Sequence, residues 1–581
     1  MAGIDLSSMP SEKARRSEAA LEAAVLDAAR NVGKKPPTDP VRRRIRLTAV
    51  GFVLAYVVLI GRLIAFGVAG PDQSASRDGA ASLAVSRPNL VDRNGEIIAT
   101  DISMASLYAE PRNILDPDEA TELLTSVLPE LDAKQVRAKL ATSAGFTWLK
   151  REITPAQQNQ IHALGIPGVG FMSEKRRFYP GGPTAAHLVG LVNIDNQGIA
   201  GLEKYVDDHG LGDLHDAGFA RSGGDLDPVR LSIDLRVQHI LRDELVNAME
   251  RYRAIAATGI MLNVHTGEVL AMVSLPDYDP NNPVDAQKPD RLNRMSAGAF
   301  ELGSVFKSFT FAMALDSGAV SMNDKIDATH ALHVGRFTID DYHAKHRVLT
   351  VPEVFIYSSN VGAARMALRT GATAQQDYLR RLGLLTKIKT DIPEVAAPIV
   401  PAKWSELTAM TVAFGHGLAV TPLQTAVADA ALMNGGFIIP PTFFPRSRED
   451  ADKLATRVIK QTTSDQLRWL FRQNVEKGSG KAAAVPGYNV GGKTGTAEKV
   501  ENGRYSANKR LNSFLAAFPM DDPQYAVLVV LDDPQAAKEG GGTTAGSNAA
   551  PAVGAVIRRS AALLGVEPRK DDGVAALLVS N

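Results

Sequence analysis

The chain has 581 residues, and its 64 Lys+Arg are balanced by 64 Asp+Glu. A net charge of zero argues against a nucleic-acid surface, which needs a basic excess or stripe. The absence of cysteine removes disulfides, thiol nucleophiles and cysteine metal sites together.

Residues 1–44 are polar and are expected to form a small tail. Leu47 to Gly61 is apolar, Arg62 follows, and Leu63 to Gly70 continues the apolar run. Together these reach the roughly 20 residues needed to cross a bilayer. Arg42, Arg43, Arg44 and Arg46 precede the run, so the positive-inside rule keeps the N-terminus in the cytoplasm and sends the rest out. A cleaved signal peptide and a buried core helix are the other readings. The long tail and the four flanking arginines favour an uncleaved anchor over residues 45–70.

Gly70 to Ser86 reads as a linker. Asn94-Gly95 between Leu90-Val91 and Ile97-Ile98-Ala99 predicts a hairpin over Asn89–Ser103. Helical spacing covers Asp118–Ala141 and Thr154–Ala163, and Arg176–Glu203 reads as turns and short strands. At Leu231 the texture changes. A helix is predicted through Gln238, Leu241, Leu245 and Met249, then strands over Thr258–Val264 and Glu268–Ser274. Ser304–Leu315 and most of Val351–Met433 read as helical. Asn489–Glu498, Ser513–Phe518 and Tyr525–Asp532 read as strands, and Ala549–Leu564 as a closing helix. Strands at both ends with helices between them predict an α+β fold, an antiparallel sheet covered by helices with an α-helical lobe inserted.

Three short motifs carry the chemistry. In Ser304-Val305-Phe306-Lys307, helical spacing puts the amine within reach of the hydroxyl. A lysine acts as a base only when neutral, which burial or a second cation promotes. In Ser358-Ser359-Asn360, the first side chain can pass a proton and the third can hold a substrate amide, although Ser and Asn also cap helices. Lys493-Thr494-Gly495-Thr496 is bracketed by glycines, so a peptide could lie along it as an added strand. Each motif alone has an ordinary structural reading. The set in this order matches one associated with penicillin-binding proteins and related β-lactamases.

On these motifs the sequence resembles class B penicillin-binding proteins, and the division-specific FtsI type most closely. Arg87 with Asp92-Arg93-Asn94-Gly95, Arg177-Phe178-Tyr179-Pro180, His187 with Gly190, and Gly201-Leu202-Glu203 are similar to that family's pedestal motifs. Ser232-Ile233-Asp234 with Gln238, Gly415-His416-Gly417, and Thr421-Pro422-Leu423-Gln424 are similar to motifs of its catalytic domain. Leu302 departs from the family, where proline is common. The resemblance implies a penicillin-binding transpeptidase domain over 229–566, an elongated, mostly β pedestal of the dimerisation type over 71–228, and a C-terminal tail over 567–581. It implies an inner-membrane protein with one N-terminal transmembrane helix and its catalytic domain in the periplasm.

By that resemblance Ser304 is the acyl-forming nucleophile and Lys307 its base. Ser358, Asn360 and Lys493 share proton transfer and field, while Thr494, Gly495 and Thr496 bind the substrate. Backbone N–H groups of Ser304 and Thr496 form the oxyanion hole. The substrates are peptidoglycan stem peptides ending in D-Ala-D-Ala, β-lactams are inhibitors, and no cofactor is required. An FtsW-type glycan polymerase and other divisome membrane proteins are the implied partners, with Asp92, Arg93 and Arg177 as candidates for coupling through the pedestal. An elongation-type transpeptidase, a D,D-carboxypeptidase and a non-catalytic scaffold are the alternatives.

Other chemistries have weaker support. Gly487 to Thr494 fits a phosphate-binding G-x-x-x-x-G-K-[ST] pattern, but no convincing strand precedes it and Gly495 opens no helix. Glu394 and Glu406 fall where a hydrolase could keep a deacylating base, in no recognisable pattern. His343 and His346 near Asp340 and Asp341 read as a solvated loop, so no metal site is expected. Asp92-Arg93 reads as a turn with a surface ion pair.

Overall fold

The computed structural model describes residues 87–209, 226–335, 337–501 and 504–569, with single positions at 23, 54, 56 and 57 besides. The predicted tail, the linker and most of the predicted anchor lie outside the described residues. Among those described, no helix is long and apolar enough to cross a membrane.

The pedestal opens with the expected hairpin. Strand β1 (Leu90–Val91) pairs antiparallel with β2 (Ile97–Ala109), with Leu90 opposite Ala99. Gly95 turns it with φ +96°, which a side chain rarely adopts. Helices α1 (Pro117–Val127) and α2 (Ala133–Leu140) follow, so the long predicted helix is broken in two. Asp116 and Asp132 accept backbone N–H groups at the two starts. Strand β3 (Thr147–Ile153), helix α3 (Pro155–Ala163) and strand β4 (Val169–Phe178) complete this half, with β3 and β4 flanking β2.

Short elements then cross to the second domain: α4 (Ala186–Val189), β5 (Leu191–Val192), β6 (Gly198–Ala200), α5 (Gly201–Asp208) and β7 (Val229–Arg230). Strand β7 joins β1 in parallel. Among the described residues up to Arg230, five helices stand against seven strands, four of the strands very short, so this part is mixed rather than mostly β. Its far end has its own core, in which Leu107 of β2 packs with Leu124 and Val136 of α1 and α2.

Helix α6 (Leu235–Tyr252) begins the second domain, capped by Asp234. Strands β8 (Ala256–Asn263) and β9 (Val269–Leu275) form a hairpin. The helical lobe comprises α7 (Lys307–Asp316), α8 (Val351–Ile356), α9 (Asn360–Thr370), α10 (Ala372–Arg381), α11 (Glu406–Val412), α12 (Pro422–Met433) and α13 (Gln461–Lys477). Thr421 and Gln424 close a capping box on α12, a structural role for that motif. Strands β10 (Gly491–Glu501), β11 (Arg504–Phe518) and β12 (Tyr525–Asp532) return to the sheet, and α14 (Ala549–Ser560) closes the chain.

The sheet order is β10-β11-β12-β8-β9, antiparallel throughout, as the sequence predicted. Successive side chains of a strand point to opposite faces. Val527, Val529 and Leu531 of β12 therefore pack with α6 and α14, while Ala526, Leu528 and Val530 face the helical lobe. Burial on both faces explains why β12 is an unbroken apolar run.

Candidate active site

The three motifs meet where α7, the turn before α9 and the edge strand β10 converge. Ser304 stands in a single 3-10 turn, Gly303–Phe306, ahead of α7 rather than in the α-helix itself. Gly303 has φ +58°, and a Cβ there would lie 2.7 Å from the Thr496 carbonyl oxygen. Gly495 is equally confined, its Cβ position lying 2.4 Å from the Leu302 carbonyl oxygen. These glycines let β10 pass directly over the turn that carries Ser304.

Lys307 is wholly buried, and its Nζ donates to Ser304 Oγ at 2.9 Å, Ser358 Oγ at 3.1 Å, the Ser358 carbonyl at 2.5 Å and Asn360 Oδ1 at 2.7 Å. Four oxygens thus surround an amine with at most three protons. Lys493, also wholly buried, donates to Ser358 Oγ at 2.9 Å from the opposite side. Burial, reinforced by the charge of Lys493, holds the Lys307 amine well below the ordinary lysine range, with Asp341 opposing. Burial pushes Lys493 down to about 7.

Ser358 sits at φ +57°, an unfavourable conformation for a residue with a side chain. It is held there because the middle residue of its motif does the capping: Ser359 Oγ accepts from Gly362 N–H at 2.9 Å and donates to Asp341 Oδ2 at 2.7 Å. Asp341 Oδ1 also accepts from Val361 N–H, and the Asp340 carbonyl accepts from Asn360 Nδ2, both at 2.9 Å. The two aspartates first weighed as neighbours of a metal site are therefore engaged with the second motif. Among the described residues no cluster of three or more His, Asp or Glu could hold a metal ion.

Thr494 shares a hydrogen bond with Ser479 at 2.6 Å, and Thr496 Oγ1 accepts from Ala545 N–H at 3.2 Å. Both hydroxyls lie on the edge strand, in line with Gly495. Lys493 is in the strand with no helix after it, which removes the phosphate-loop reading. Gly415 backs the site, since a Cβ there would lie 2.1 Å from the Gly303 carbonyl oxygen. His416 stacks on Tyr505, and burial with the nearby Lys307 lowers it to about 4, so it stays neutral.

Two other sequence expectations change. Glu394 reaches away from the motifs to Gly201 N–H of the pedestal, and Glu406 lies in the first turn of α11. Asp92 is no surface ion pair: it is 1% exposed and accepts from the N–H groups of Asn94, Glu96 and Leu235, fixing the pedestal hairpin to the start of α6. Arg177 is buried between Glu203 and Asp101, with Arg87 on the other oxygen of Glu203.

The penicillin binding protein transpeptidase domain matches residues 257–557, and the penicillin-binding protein dimerisation domain matches 82–211. A Caulobacter vibrioides protein named "Probable peptidoglycan D,D-transpeptidase FtsI" is 39% identical over 555 residues, 92% of this chain and 91% of that protein. The peptidoglycan D,D-transpeptidase FtsI of Escherichia coli is 31% identical over 558 residues, 90% of this chain and 92% of that one. Among solved structures, penicillin binding protein 3 of Mycobacterium tuberculosis, complexed with aztreonam, shares the fold at a TM-score of 0.64 and 24% identity, over 84% of this chain and 97% of that one. Two adjoining domain matches and relatives aligned along nearly all of the sequence leave one conclusion: the chain belongs to the class B penicillin-binding protein transpeptidases.

Proposed function

We propose that this protein is a serine D,D-transpeptidase that cross-links peptidoglycan stem peptides during septum synthesis, through an acyl-enzyme on Ser304. One observation carries the reading: a buried Lys307 amine bonded to Ser304 Oγ and sharing Ser358 Oγ with a second buried lysine. Such an amine is a base at neutral pH.

In acylation, Ser304 Oγ attacks the carbonyl carbon of the penultimate D-alanine and Lys307 takes its proton. Ser358, between the two lysines, relays a proton to the departing amine of the terminal D-alanine. Asn360 holds the peptide, and Thr494 and Thr496 with Gly495 receive its carboxylate along β10. Backbone N–H groups of Ser304 and Thr496 bind the developing oxyanion, and loss of one such donor typically costs about 3–4 kcal/mol. An acceptor amine then attacks the ester carbonyl and returns the proton to Ser304. A β-lactam mimics the donor and stops at the ester.

Assignment to division rests on the FtsI relatives and on Ser358-Ser359-Asn360, which carries asparagine in third place. The apolar run over 45–70 and its flanking arginines support a single inner-membrane anchor with residues 71–228 and 229–566 in the periplasm. An FtsW-type polymerase is the partner this arrangement suits. Full-length protein labelled with a fluorescent penicillin, beside Ser304→Ala, tests the reading. A stable adduct mapped to Ser304 and absent from the variant is expected. Folded wild-type protein that takes no label would overturn it.

A further inference from the structure

The segment that delivers Ser304 is held from outside its own domain. Between a 3-10 turn at Pro289–Arg291 and the one at Gly303–Phe306, the chain forms no regular helix or strand beyond a bridge at Phe300. Its path therefore depends on the partners it finds. His187 of α4 puts Nε2 2.6 Å from the Arg291 carbonyl, which can only accept, so that nitrogen carries the proton. The His187 carbonyl accepts from Asn293 Nδ2 at 3.4 Å.

A further grip is relayed through Glu394. Helix α5 starts at Gly201, and its first N–H groups have no partner within the helix. Gly201 N–H donates to Glu394 Oε1 at 3.0 Å, while the Glu394 carbonyl accepts from Ser296 Oγ at 2.6 Å. Ala396 N–H donates back to the Ser296 carbonyl at 2.9 Å. From Ser296 the chain runs to Phe300, which exchanges two backbone hydrogen bonds with Val420, and then to Gly303 and Ser304.

The pedestal end of this relay is closely packed. Gly190 and Gly201 cross in backbone contact, a Cβ on Gly190 lying 1.9 Å from the Ala200 carbonyl oxygen. Two residues further along α5, Glu203 is fixed by Arg87 and Arg177. Glu394 Oε2, by contrast, is buried without a hydrogen-bond partner. A buried carboxylate left half-satisfied needs an explanation other than stability.

We propose that Glu394, with His187, is a positioning residue for acylation: it transmits the placement of the pedestal helix α5 to the segment that carries Ser304. The proposal rests on the reading of Ser304 as the acylated residue. The pedestal motifs His187 to Gly190 and Gly201 to Glu203 thereby act on the active site without touching substrate.

The test uses the full-length chain in detergent and a fluorescent penicillin, over concentrations that separate the acylation step from the initial encounter, with thermal melting in parallel. Glu394→Ala is expected to slow acylation about tenfold while leaving the encounter constant nearly unchanged, because small displacements of reacting groups cost up to about a hundredfold. Glu394→Gln keeps an oxygen for Gly201 N–H and is expected to restore the rate. Wild-type acylation by Glu394→Ala overturns the proposal, as does a loss that Glu394→Gln does not rescue. Should Glu394→Ala fail to fold, Ser296→Ala decides: a drop of about threefold or more supports the relay, on the scale of one lost hydrogen bond, and an unchanged rate overturns it. Failure of the wild-type protein to label at Ser304 would instead sink the assignment of the nucleophile.

Discussion

Among the described residues two pairs of cations are buried, each pair sharing one central acceptor. In the pedestal, Arg87 and Arg177 share Glu203, one on each carboxylate oxygen at 2.9 and 2.6 Å. In the transpeptidase domain, Lys307 and Lys493 share Ser358 Oγ at 3.1 and 2.9 Å. The arginines meet a charged acceptor and the lysines a neutral one. Burial works against the charge of Arg177, yet Glu203 and Asp101 outweigh it and its pKa stands above the ordinary value. At Lys307 the opposing carboxylate is Asp341, which is engaged with Ser359 and Val361, and burial prevails. A counter-charge makes a buried cation a fixed strut; without one it becomes a base.

Glu203→Gln keeps the shape of the shared acceptor but removes its charge, leaving Arg177 only Asp101 and Arg87 only the half-exposed Asp207 as counter-charges. A loss of about 3 kcal/mol or more is expected, read as a lower melting temperature of the main transition. An unchanged melting temperature would mean that Asp101 and Asp207 alone suffice.

Asp429 on α12 is the acidic counterpart of the buried lysines. It is wholly buried, neither oxygen has a hydrogen-bond partner, and burial raises its pKa well above the ordinary value. The folded state therefore holds a proton that the unfolded chain releases above about pH 4. Its contribution to stability is full below that pH and is lost as pH rises toward the folded pKa. Asp429→Asn should melt higher than the parent by about 1–2 kcal/mol at pH 7, with the gain shrinking toward pH 4. A gain independent of pH would show that ionisation is not the cause.

Short-range patterns made much of this legible in the sequence. The Asn94-Gly95 hairpin, the two-sided apolar strand at Tyr525–Asp532 and the spacing of Ser304 and Lys307 each follow from local chemistry. What stayed hidden depends on residues far apart in the chain. Asp341 looked like part of a solvated loop because nothing local ties it to Ser359, and Glu394 looked like a stray base because its partner is Gly201. Asp92 read as a surface turn, although its carboxylate also takes the N–H of Leu235. The pedestal's helices were underestimated where short segments such as Ala186–Val189 are too brief to show a period.

In the proposed mechanism Lys307 serves as a base because burial, reinforced by the charge of Lys493, holds its amine well below the ordinary lysine range. The pH dependence of the acylation rate, compared between wild type and Lys493→Ala, tests it most directly. A group with a depressed pKa loses its proton early as pH rises, so the wild-type rate should already be near its plateau at neutral pH and fall only on the acid side. Removing the second cation should move that falling limb to higher pH. A wild-type rate that keeps climbing toward about pH 10, the ordinary lysine value, would mean that Lys307 is charged at neutral pH and would contradict the claim.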